Sequence, residues 1–194
     1  MIIISLINND NINNYDQKNA KAMISPKIEK ALNQQVKLEA ESSQIYLAMA
    51  SWAEVEGYNG VSDFLYKHSD EERIHMLKLV KFINERGGHG VIPALPQPSL
   101  KYKGVRPLFE QVLNHEIHVS EEINKLVDIC LKEKDYTTHN FLQWYVSEQI
   151  EEEALARRVI DKLKLIGDDK GGFYLFDRDI LSLESAVGAS KGRR

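Results

Sequence analysis

Four stretches of this 194-residue chain carry an apolar stripe at helical spacing, and each stripe is broken by charged or amide residues. The first runs Ile28, Leu32, Val36, Glu39, Ser43, Tyr46, Ala50 and Ala53; the second Val61, Phe64 or Leu65, His68, Glu72, His75, Leu79 and Phe82. The third runs Val105, Phe109, Val112, Glu116, Val119, Ile123, Leu126 and Cys130; the fourth Leu142, Tyr145, Gln149, Glu152, Ala156, Ile160 and Leu163. Steps of three and four put each set on one helix face that must be buried. A bare buried carboxylate costs several kcal/mol even after relaxation, so these glutamates need compensation. A pair of divalent cations supplies it, because carboxylate oxygens and an imidazole become ligands instead of stranded charges.

The breaks between stripes set the plan. Ser25-Pro26 is a hydroxyl cap followed by proline at the first helical position. Gly57 and Gly60 mark the first turn, and Gly87-Gly88-His89-Gly90 ends the second helix. Residues 91–104 hold Pro93, Pro96, Pro98 and Gly104, too many breakers for a helix and long enough for a crossover. The third helix is expected from Val105 to Lys132 and the fourth from Tyr136 to Ile166. Gly167 to Gly172 breaks the chain before a short amphipathic fifth helix, expected from Leu175 to Ser185. The fold expected is all-α: a four-helix bundle with a long crossover between helices 2 and 3 and a short fifth C-terminal helix. Residues 23–187 form the domain, and 188–194 a basic flexible tail. Residues 1–22 read as a disordered N-terminal extension, or as sequence upstream of a start at Met23.

Several functions are disfavoured. The net charge of −4 comes without a basic stripe, so nucleic acid is not an expected partner. No run approaches the ~20 apolar residues that span a bilayer. The single cysteine, Cys130, cannot form an internal disulfide or a thiolate cluster; it reads as core filler in a reducing, cytoplasmic setting.

Spacing sharpens the metal reading. Glu72 follows Glu39 by 33 positions and Gln149 follows Glu116 by the same 33, so two antiparallel hairpins would bring their ligands to matching depths. Glu72 and His75 stand at i and i+3, as do Gln149 and Glu152, and each pair shares one patch of core. Glutamates with one imidazole and no thiolate favour iron or manganese over zinc. Tyr46 lies on the Glu39 stripe; it is either a core tyrosine with a bonded hydroxyl or a redox or site-lining residue. His68 and His115 are expected as packing or surface residues. Glu71, Glu148 and Glu151 are either exposed charges or, with Glu152, a third metal position.

The blocks Lys37-Leu38-Glu39-Ala40-Glu41-Ser42-Ser43, Asp70-Glu71-Glu72-Arg73-Ile74-His75-Met76 and Asn140 to Glu153 resemble those of bacterial non-haem ferritins, over roughly Met23 to Ser185. One glutamate from each of two helices and Glu-x-x-His from each of the others is the ligand pattern of ferritin-like di-iron bundles. It is matched here rather than derived, with Gln149 in one glutamate place. The resemblance implies a ferroxidase centre in which Glu39, Glu72 and His75 hold one iron. Glu72 would bridge to a second iron held by Glu116 and Glu152 and lined by Gln149, with Glu71, Glu148 and Glu151 at a third site. It further implies iron storage: oxidation of Fe²⁺ by O₂ or H₂O₂ and mineral deposition inside a homo-oligomeric shell of twenty-four subunits. No haem is expected, because Arg73 stands where haem-binding relatives carry methionine after the bridging glutamate. A shell subunit with a weak centre would have lost a ligand, and none is lost. A di-iron oxygenase acting on an organic substrate would usually carry two Glu-x-x-His motifs, and this chain has one.

Overall fold

The computed structural model describes residues 23–183; the expectations for 1–22 and for 188–194 lie outside them. Five helices follow in order: α1 (Pro26–Val55), α2 (Asn59–Glu85), α3 (Val105–Glu133), α4 (Tyr136–Ile166) and α5 (Lys170–Asp179). The family of four long helices, crossover and short fifth helix is the plan expected from the stripes.

The helix ends have local causes. Ser25 Oγ accepts from Ile28 N at 3.2 Å, capping α1 just before Pro26. Lys134, left-handed at φ 58°, turns the chain out of α3, and Asp135 then caps α4 by accepting from Thr138 N at 2.9 Å. Gly167, also at φ 58°, ends α4. The fifth helix differs from expectation, beginning at Lys170 rather than Leu175. Asp169 is the reason: its carboxylate accepts from Gly171 N at 3.2 Å and Gly172 N at 2.8 Å, so both glycines sit in the first helical turn instead of breaking it.

α1 and α2 pair antiparallel, with Met23 near Arg86, Ser43 near Ser69, and Glu54 near Tyr66. The crossover leaves the Arg86 end and runs along α1. Val91 N donates to Asn33 Oδ1 at 2.7 Å near its start, and Tyr102 packs on Trp52 at 5.4 Å near its finish. It thus returns the chain to the opposite end of the bundle before α3 begins.

Two apolar clusters fill the interior. One joins Met49, Ala53, Phe64, Leu65, Phe109 and Leu155 with Phe176 of α5. The other joins Ile28, Leu32, Leu79, Ile83, Ile123 and Leu142 at the far end. Between them, on all four long helices, lies the polar layer: Glu39, Glu72, His75, Glu116 and Gln149, every one buried. Position 82 departs from its expected stripe. A straight helix drifts against a strict repeat, and Ile83 takes the core place while Phe82 stacks half-buried on Phe141 at 3.8 Å.

Candidate metal centre

α1 delivers Glu39, 1% exposed, and one turn earlier Gln35 donates its amide to Glu39 Oε1 at 2.8 Å. α2 delivers Glu72 and His75 one turn apart. His75 Nδ1 lies 3.3 Å from Glu72 Oε2 and 3.9 Å from Glu39 Oε2. One ligand atom from each of Glu39, Glu72 and His75 falls within a 4.8 Å group. The Tyr145 hydroxyl donates to the His75 carbonyl at 2.8 Å, tying α4 to α2 behind the imidazole.

α3 delivers Glu116, 1% exposed. One of its oxygens accepts from the Tyr46 hydroxyl and the other from Gln149 Nε2 at 2.9 Å. Glu152 sits one turn beyond Gln149. His68 Nδ1 reaches its Oε2 at 3.5 Å and Glu71 Oε2 at 3.6 Å, and His68, Glu71 and Glu152 form a second group of ligand atoms within 4.8 Å.

Carboxyl groups are concentrated here. Burial first, then the Glu72 charge, raises the Glu39 carboxyl well above its usual range. Glu72 is raised in the same way, by burial and then by Glu116. Glu152 is pushed up to about 8 by burial, with Glu116, Glu71 and Glu148 adding to it. Burial and Glu116 likewise lift the Tyr46 hydroxyl well above 10. Among the described residues no lysine or arginine forms an ion pair with Glu39, Glu72 or Glu116. Hard oxygen donors, imidazole nitrogens and carboxyl groups that burial disfavours as bare anions fit divalent metal ions of the iron type.

Of the residues singled out in the sequence, Glu39, Glu72 and His75 come together, and Glu116, Gln149 and Tyr46 are joined to one another by hydrogen bonds. Glu71 and Glu152 meet around His68. Glu148 is close enough to raise the Glu152 pKa, and both Glu148 and Glu151 are half-buried on the same helix. The sequence assigns no role to Gln35, and it leads to the expectation of His68 as a packing or surface residue. His68 does pack on Phe64 at 4.2 Å, yet it is also buried against two carboxylates. Position was the available signal: Gln35 precedes Glu39, and His68 precedes Glu72, by one i,i+4 step. His115 is half-buried with Nε2 2.7 Å from Ser42 Oγ, and its ring meets Tyr46 edge-on at 6.0 Å.

A four-helix bundle with a carboxylate-and-imidazole layer through its middle defines the class of di-metal bundles. Residues 29–166 match the family described as Ferritin-like domain, and the chain belongs to that family. It is 42% identical over 163 residues to a probable bacterial non-heme ferritin-like protein of Haemophilus influenzae, covering 84% of this chain and 99% of that one. To a bacterial non-heme ferritin of Campylobacter jejuni it is 42% identical over 161 residues, covering 83% and 96%. Among solved structures, an open pore ferritin of Archaeoglobus fulgidus superposes with a TM-score of 0.81 at 40% identity, covering 82% of this chain and 98% of that one. No helix among the described residues is long and apolar enough to cross a membrane.

Proposed function

We propose that this chain is an iron-storage subunit with ferroxidase activity. The observation that carries the reading is the buried group of Glu39, Glu72 and His75, adjoining Glu116 in the core of a ferritin-family bundle, with no basic side chain paired to it among the described residues. Ferrous ions are the substrate. Glu39, Glu72 and His75 take one; Glu72 reaches toward a second between Glu116 and Glu152, with Gln149 beside it. Each ferrous ion gives up one electron. Dioxygen accepts the two, takes up two protons and leaves as hydrogen peroxide, and two ferric ions remain. Hydrogen peroxide can serve as oxidant in place of dioxygen.

The carboxylates favour the ferric product, since three or four anionic oxygens in a low-dielectric core stabilise the higher charge more strongly. Glu71, Glu148 and Glu151 lead away from the pair as a third position, where His68 adds a nitrogen donor. Tyr46 holds Glu116 in place and lines the site. Ferric ions then pass to a mineral inside a homo-oligomeric, 24-subunit shell of the kind the family implies. A cytoplasmic setting accords with the lone Cys130.

The test is aerobic addition of excess Fe²⁺ to iron-free protein, followed optically, with the product then sized. A large assembly that oxidises iron rapidly and co-elutes with many irons per chain is expected, and Glu72→Ala should slow the first phase. Iron that stays near two per chain would end the storage reading.

A further inference from the structure

A small cavity lies against the Glu116 and Glu152 side of the site. Its walls are Phe64 and Leu65 from α2, Phe109 and Val112 from α3, and Leu155 and Ala156 from α4. Tyr46, His68, Glu116 and Glu152 form its polar end. About 10 Å³ is open to the centre of a water-sized molecule, room for one small guest. We propose that this cavity is a dioxygen pocket, holding the apolar oxidant next to the metal pair.

The choice of guest follows from the walls. A buried water needs two to four polar partners, and both oxygens of Glu116 already accept hydrogen bonds. The Tyr46 hydroxyl donates to one Glu116 oxygen and Gln149 Nε2 to the other at 2.9 Å. His68 turns Nδ1 toward Glu71 and Glu152 at 3.6 and 3.5 Å. The remaining surface is aromatic and aliphatic, with the Phe64 and Phe109 rings set edge-to-face at 5.7 Å. An apolar diatomic gives up little hydration on entering such a space, as apolar guests do in dry cavities lined by leucine and phenylalanine. The six apolar side chains offer no replacement for the water of a hydrated ferrous ion, so the apolar end favours dioxygen over the metal. Metal and oxidant therefore reach the same carboxylates from different sides. The inference rests on the ferroxidase reading, since only an oxidase has use for such a guest.

Two measurements test it. Crystals of the full chain, iron-free and pressurised with xenon, should show xenon between Phe109, Val112 and Leu155. Ala156→Val, which adds two methyl groups to the wall without touching a proposed ligand, should raise the dioxygen concentration at half-maximal rate about tenfold or more, as one extra methylene in an apolar pocket does. Its anaerobic Fe²⁺ stoichiometry should stay that of the parent. Absent xenon density, ordered water filling the space, or an Ala156→Val protein that oxidises iron with unchanged dioxygen dependence would overturn the proposal. Where Ala156→Val does not fold, xenon occupancy of the parent decides. A parent protein that oxidises no iron would overturn the ferroxidase reading instead, a result the iron-free xenon experiment does not share.

Discussion

Gln149 Nε2 donates to Glu116 Oε2 across 2.9 Å, and the Tyr46 hydroxyl donates to the other oxygen of the same carboxylate. Glu116 therefore enters the centre aimed from both sides, by α4 and by α1. The other hairpin has its own 33-residue pair in Glu39 and Glu72, but there the two carboxyl groups bond each other and Gln35 steadies Glu39. The two halves of the site share a spacing and differ in chemistry.

That difference predicts unequal metal positions. Gln149→Leu leaves Glu116 with a single donor, and loss of a partner that orients a ligand typically costs 10–100-fold in metal affinity. In anaerobic Fe²⁺ titrations, one ion per chain should bind about tenfold more weakly while the ion at Glu39, Glu72 and His75 keeps its affinity. Equal weakening of both would show that Gln149 supports the layer as a whole and not one position.

Glu72→Gln should separate stability from function. Burial and the Glu116 charge hold the Glu72 carboxyl well above its usual range, so near pH 8 the folded metal-free protein bears the cost of keeping a carboxyl protonated or charged in the core. An amide of the same shape removes that cost. The metal-free variant should unfold roughly 2–4 °C higher than the parent at pH 8, the shift expected for ~1 kcal/mol in a chain of this size. Well below pH 4.5 the two should converge, because there the carboxyl is neutral in both states. Rapid iron oxidation should be lost. A variant less stable than the parent at pH 8 would show that Glu72 is compensated within the protein.

The long helices, the crossover and the six central side chains were legible because periodicity and spacing are written along the sequence. Glu39, Glu72, His75, Glu116, Gln149 and Tyr46 all fall on stripes, and burial of those stripes left them no other destination. What stayed hidden depended on contacts between helices or on competition within a turn. Gln35 resembles any exposed glutamine until Glu39 is known to be buried above it. His68 looks like core because it is core, and only the approach of α4 brings Glu152 to its ring. The start of α5 is not legible in the sequence because Gly171 and Gly172 signal a break, while the Asp169 cap satisfies their N–H groups and overrides that signal.

Metal-free stability should fall as pH rises toward 8. Glu152 titrates at about 8 in the fold against an ordinary value of 4.5. Folding thus favours its protonated form, and that contribution is complete below pH 4.5 and fades as pH climbs through 8. Metal reverses the slope, because ligation requires the carboxylate and expels its proton. Thermal unfolding of chelator-treated protein between pH 5 and pH 8 should show the decline, and calorimetry with Mn²⁺ at pH 7 in two buffers of different ionisation enthalpy should show proton release. In Glu152→Gln both effects should shrink. A metal-free protein whose melting temperature rises steadily across that range would contradict the burial of Glu152 as a proton-holding group.

The fifth helix is clasped to the bundle at Gly60, and that contact should govern how α5 is presented. A Cβ at this position would lie 1.6 Å from the Asp177 carbonyl oxygen and 2.6 Å from its carbon, so the first turn of α2 rests directly on the α5 backbone. The Asp177 side chain completes the clasp by accepting from Val61 N at 2.9 Å, supplying the cap that Tyr58 does not give α2. Losing a cap of this kind costs about 1 kcal/mol, so Asp177→Ala should weaken the docking modestly. Gly60→Ala cannot be relieved by a rotamer change, because the obstacle is backbone, and α5 must move away. Most helical content should persist in both variants, since the long helices supply nearly all of both apolar clusters. Limited proteolysis across residues 167–172 should be fastest in Gly60→Ala, intermediate in Asp177→Ala and slowest in the parent, and light scattering should show incomplete assemblies in the same order. A Gly60→Ala protein that resists cleavage as well as the parent would place the anchor of α5 elsewhere, at the packing of Phe176 and Ile180 against the core.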